Sequence, residues 1–86
     1  MPFSSTLVEH GVDGNRRYKR YTLTDVQTDG TSIVHTGFKK VLFADAINET
    51  DNIDTFKASW DQYGNGKVTL TAVTADDDGT LTVWGL

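Results

Sequence analysis

Cysteine is absent from this chain, which excludes disulfide staples, thiolate zinc sites, iron–sulfur ligation and any cysteine nucleophile. Histidine occurs only at His10 and His35, too few for most metalloenzyme sites. No stretch approaches the roughly 18 consecutive apolar residues of a membrane-spanning helix. The start, Met1-Pro2-Phe3-Ser4-Ser5-Thr6, carries no basic region followed by an apolar run of signal-peptide length, so synthesis in a cytoplasm is expected. Asn48-Glu49-Thr50 fits the glycosylation sequon, but so short a pattern arises by chance and means nothing without secretion.

What is present points to strands. Val, Ile, Leu and Phe supply 21 of the 86 residues, enough apolar side chain for a folded chain of net charge −4. Thirteen Thr and eight Val stand against five Ala and one Pro, a composition that suits a pleated surface better than a helix. One small β domain over residues 1–86 is expected, with residues 1–15 as an extended N-terminal arm. A chain of this size without disulfide or metal is marginal alone, so contact with identical copies or a larger assembly is expected.

The clearest strand is 67–75, where Val68, Leu70 and Ala72 alternate with Thr69, Thr71 and Val73. A second alternating run, 80–84, follows Asp76-Asp77-Asp78-Gly79, and the Asp-Gly step predicts a hairpin joining the two. Residues 38–47 are apolar on both faces, as suits a central strand or one whose outer face meets another subunit. Residues 17–26 form a longer strand, with 31–35 expected to pair back on it across Asp29-Gly30. Short strands near Leu7-Val8 and over 55–60 complete the set. Repeated short strands with regular turns predict a small antiparallel β-sandwich or a jelly-roll-like barrel with little or no helix.

Charge is uneven along the chain. Residues 1–43 carry six basic and four acidic side chains, and residues 44–86 carry two basic and eight acidic. If these halves occupy different surfaces, the molecule is electrically polar and suited to docking on copies of itself or on an oppositely charged partner.

Each candidate for chemistry has a plainer competitor. Arg16-Arg17-Tyr18-Lys19-Arg20 combines phosphate-neutralising charge with a stacking ring, as nucleic-acid contacts do. The overall negative charge opposes polyanions, however, and strand alternation sends Arg16, Tyr18 and Arg20 to one face and Arg17 and Lys19 to the other. A basic strand facing an acidic neighbour in an assembly is the better expectation, with no nucleic acid and no membrane as partner. Asp76-Asp77-Asp78-Gly79 suggests calcium, yet Thr74 and Gly85 stand where the loop pattern needs acids, which leaves a charged turn. Glu49, Asp51 and Asp54 form a second acidic loop of no specific pattern. His10 and His35 lack the spacing of a triad, and no nucleophile elbow, phosphate loop or metal-binding His pair occurs. No enzyme activity, metal or cofactor is expected. Trp60, Tyr63 and Trp84 are candidates for a glycan platform or for subunit contacts, against the commoner role of edge packing.

Four segments, Gly37-Phe38-Lys39-Lys40-Val41, Asp54-Thr55-Phe56, Lys67-Val68-Thr69-Leu70 and Thr80-Leu81-Thr82-Val83-Trp84-Gly85-Leu86, resemble a class of short tailed-phage virion structural proteins. These share a Gly-x-Lys-x-Val strand, an Asp-Thr-aromatic strand and a closing Val-x-Gly hairpin. The resemblance spans residues 37–86 and leaves the first 36 outside it. It implies a virion location and a non-enzymatic role, in the first place as a capsid decoration or cement protein. Such a protein oligomerises, for example as a trimer, and binds the major capsid protein or another virion protein. The expected capsid or subunit contacts are Phe3, Leu7, Arg16, Arg17, Lys19, Arg20 and Trp84. The alternative is a tail or fibre module that binds a glycan or receptor through Trp60, Tyr63 and Trp84.

Overall fold

The computed structural model describes residues 3–50, 55–61 and 65–86. Seven strands follow in chain order: β1 (Ser4–Asp13), β2 (Arg16–Val26), β3 (Ser32–His35), β4 (Val41–Asn48), β5 (Lys57–Trp60), β6 (Lys67–Thr71) and β7 (Asp77–Gly85). They form two antiparallel sheets, one ordered β1-β2-β7-β4 and the other β3-β6-β5. The pairs β2·β7 and β3·β6 make one long two-stranded ribbon. It rolls over so that β4 adds to β7 and β5 adds to β6. This is jelly-roll-like wiring on an open sandwich, and the all-β expectation holds.

Alternation explains the layers. Tyr21, Leu23, Leu81, Val83 and Ala44 of the first sheet face Val34, Val68 and Leu70 of the second, and all are buried. Each fully buried Leu or Val contributes about 1.5–3 kcal/mol of transfer free energy, which is where the fold's stability is concentrated. Thr residues on the intervening positions keep the outer faces polar. Phe38, Phe56 and Ala72 come from the connections and close the ends of the core.

Several local expectations are corrected. β6 and β7 do not form a hairpin: they lie in different sheets, and residues 72–76 pass between them. Asp77 is not at a turn tip but begins β7 as a buried residue. Gly79 sits inside the strand, where a Cβ would lie 2.0 Å from the Ile47 carbonyl oxygen and 2.5 Å from the Phe56 ring. Gly at that position therefore serves close strand approach and not a turn. Likewise β3 pairs with β6 and not with β2. Asp29 Oδ1 accepts the Thr31 N–H (3.2 Å) and hydroxyl (2.6 Å), and Ser32 Oγ accepts the Gln27 N–H (2.9 Å), turning the chain toward the other sheet. β4 is an edge strand of its sheet, and its start, with a bulge between Val41 and Phe43, leaves Phe38 in a loop.

Residues 4–13 of the expected N-terminal arm are strand β1, joined to β2 by a tight turn at Gly14-Asn15. The first sheet has one strand more than the second. β1 is an edge strand, and residues 4–10 are all exposed.

Candidate functional site

The β1–β2 hairpin owes its chemistry to one extra residue. Leu7 pairs with Tyr21, but Glu9 pairs with Arg20, so β1 bulges at Val8 and its alternation reverses. Beyond the bulge, Glu9 shares a face with Arg20 and Tyr18. Its Oε1 accepts from Arg20 Nη1 at 2.7 Å and its Oε2 from the Tyr18 hydroxyl at 3.0 Å. Within the chain, Glu9 is thus the acidic partner of Arg20. Tyr18 also lies across Gly11, whose Cβ position would be 2.9 Å from its ring.

The opposite face of the hairpin carries His10 opposite Lys19, and Arg17 two pairs further on. Lys19 Nζ donates to the Thr36 carbonyl and sits 4.9 Å from the centroid of the Phe38 ring, a cation–π contact. The loop bearing Phe38 is clamped to the end of β7: the Lys39 N–H donates to Leu86 O and the Leu86 N–H to Lys40 O, both at 3.0 Å. Between hairpin and loop lies a cleft of about 520 Å³. His10, Arg17, Lys19 and Lys39 line it with Asn15 and Phe38, and no Asp or Glu does. Among the described residues, the side chains of His10, Arg17 and Lys39 have neither hydrogen bond nor ion pair.

Strand direction biases the charges toward opposite ends. Arg16, Arg17, Lys19, Lys39, Lys40 and Lys67, with Asp13 and Asp61 among them, lie at the end where β2 and β6 begin and β7 finishes. Asp25, Asp29, Glu49, Asp76, Asp77 and Asp78 lie at the other end. The molecule measures 35 × 21 × 20 Å, so the two ends are separated along the strands. At the acidic end the hydrogen bonds from Thr31 lower the Asp29 pKa, and that from Gln27 Nε2 to Asp76 Oδ1 (2.8 Å) lowers that of Asp76. Burial raises the Tyr21 phenol pKa.

An aromatic row crosses the outer face of the first sheet. Trp84 pairs with Tyr18 on one side and Phe43 on the other, and the Trp84 and Phe43 rings are 5.5 Å apart. Trp60 reaches round from β5 to meet Phe43 edge to face at 6.2 Å. Phe43 is half exposed and Trp60 and Trp84 are partly buried.

The expected contact residues fall in several places. Arg20 and Trp84 share the outer face beside a second hollow of about 250 Å³. Arg17 and Lys19 enter the cleft, and Arg16 lies on the opposite face from them. Leu7 is exposed on β1, whereas Phe3 packs against the core. Trp60 and Trp84 are brought together through Phe43, and Tyr63 lies outside the described residues. Sequence reasoning missed Phe43 as the link, and Lys39 and His10 as cleft walls. The Lys39-Lys40 doublet was visible, but nothing local showed that its loop would face β2. No group of three or more potential metal-ligating side chains occurs among the described residues. No family model, curated protein or solved structure matches the chain.

Proposed function

We propose that this protein is a non-enzymatic structural component of a tailed-phage virion, a decoration or cement protein that oligomerises and docks on the capsid lattice. The observation that carries this reading is β1. It is a ten-residue edge strand, paired only with β2 among the described residues, and it exposes Leu7 (44 %), Val8 (56 %) and Val12 (71 %). Free edges with exposed apolar residues are pairing surfaces that monomeric proteins usually blunt. The cluster of Arg16, Arg17, Lys19 and Lys39 at the end of the hairpin offers electrostatic complementarity to an acidic partner surface. The resemblance of residues 37–86 to short virion proteins supplies the partner. Co-sedimentation with purified capsids lacking the protein tests it: the chain should pellet with capsids and less so at high salt. A monomer that stays in the supernatant at every ionic strength overturns it.

A second reading has its own support. The Tyr18–Trp84–Phe43–Trp60 row, with Arg20 and Thr82 beside it, has the ring-and-polar character of a glycan platform on a tail or fibre module. Quenching of tryptophan emission by host-surface oligosaccharides, without capsid binding, would favour it.

A further inference from the structure

We infer that the cleft at the basic end is a receptor for a compact, multiply charged oxyanion of the phosphate or diphosphate type. The inference does not depend on capsid docking. Three segments of the chain converge on the cavity, bringing the Arg17 guanidinium, the Lys19 and Lys39 ammonium groups and the His10 imidazole to one space of about 520 Å³. That volume lies within the roughly 300–1,000 Å³ of small-ligand sites.

The cationic side chains there have no acidic side chain beside them among the described residues. Arg20, on the other face of the same strand, is neutralised by Glu9, whereas Arg17 and Lys39 have no counter-ion among the described residues and no acidic side chain lines the cleft. Like charges held round one cavity repel each other, and a bound anion reverses the sign of that interaction.

The walls are also set in advance. Lys19 is held by the Thr36 carbonyl and the Phe38 ring, and the loop carrying Lys39 is clamped by its reciprocal backbone bonds with Leu86. Binding therefore leaves the cleft backbone and Lys19 in place and orders chiefly the Arg17 and Lys39 side chains. The planar guanidinium of Arg17 offers a donor fork that matches two oxygens of one phosphate, while the lysines act as point charges around it.

Compactness follows from the placement of the remaining cations. Arg16 lies on the opposite face of β2 with Arg20, so a polynucleotide following the strand would meet only alternate charges. The acidic far end would repel its continuation.

Calorimetric titration of the whole chain with inorganic diphosphate, at low and moderate salt, tests the site. One saturable site is expected, weakened at least about tenfold by Arg17→Gln and by Lys39→Gln. Arg16→Gln, which removes the same charge from the other face, should leave it unchanged. Arg17→Lys should recover only part of the loss. Thermal melts of each variant verify that the fold persists. Equal weakening by Arg16→Gln would reduce the effect to diffuse charge and overturn the proposal, as would the lack of saturation at any salt. Binding of a single-stranded oligonucleotide without binding of diphosphate would also overturn it. Capsid co-sedimentation is read separately, so neither result decides the other.

Discussion

Asn48 Nδ2 donates to Asp77 Oδ2 at 2.8 Å, and both side chains are buried at the acidic end of the sandwich. A buried carboxylate depends on such donors, because its loss of hydration is recovered only through hydrogen bonds. Asn48→Ala is therefore expected to lower unfolding stability by about 2–3 kcal/mol, read as a fall in the urea midpoint at unchanged slope. A change within error would mean that Asp77 is satisfied without Asn48.

Gly79 stands two residues further along β7, pressed against the Ile47 carbonyl. Gly79→Ala should cost about 3 kcal/mol or more, since backbone of a paired strand must move to admit the methyl group. Gly14→Ala, in the open β1–β2 turn at φ +63°, should cost only about 1 kcal/mol. Thermal melts of the two variants side by side test the contrast.

The acidic end also sets a pH response. Asp29 and Asp76 have folded pKa values below the ordinary 3.8, held down by hydrogen bonds from Thr31 and Gln27. A lowered folded value means that the unfolded chain takes up protons first, so this stabilisation is present above pH 3.8 and is lost as pH falls through the folded values. Thr31→Ala removes the hydroxyl donor and should make the decline below pH 3.8 shallower. Denaturant melts across that range measure it, and identical declines in the two proteins would contradict it.

Phe43 bridges the only two tryptophans of the chain. Phe43→Ala should shift tryptophan emission to longer wavelength as both indoles gain water, at a stability cost of about 1 kcal/mol. Emission unchanged from the parent would show that the β4 and β5 edges stay closed without this ring.

On β1, Val8→Lys places a charge on the free edge where the bulge already interrupts pairing. Stability should stay within about 0.5 kcal/mol of the parent, while co-sedimentation with capsids should fall sharply. Undiminished co-sedimentation would move the docking surface elsewhere.

Alternation was legible without the structure. Val68 and Leu70 read as one apolar face and are buried; Trp84 read as opposite Val83 and lies on the outer face; Arg16, Tyr18 and Arg20 read as opposite Arg17 and Lys19 and are so placed. These follow from the two-residue period of a strand, which is a local property. The Asp29-Gly30 step turns the chain between sheets where a hairpin within one sheet is expected, and the Asp78-Gly79 step does not turn the chain at all but lies inside β7, against Ile47. Only the packing of the two apolar faces against each other decides between these outcomes.

The amino-acid sequence by itself determined the class of fold, the faces of its strands and the imbalance of charge between its halves, since composition and alternation act residue by residue. Tertiary structure alone decided that β6 crosses to the other sheet from β7, that Val8 bulges and so gives Arg20 its carboxylate, and that Lys39 comes to face Arg17 across a cleft. Each of these depends on contacts between residues far apart in the chain, where register, bulges and sheet order set which side chains meet, and no local pattern carries that information.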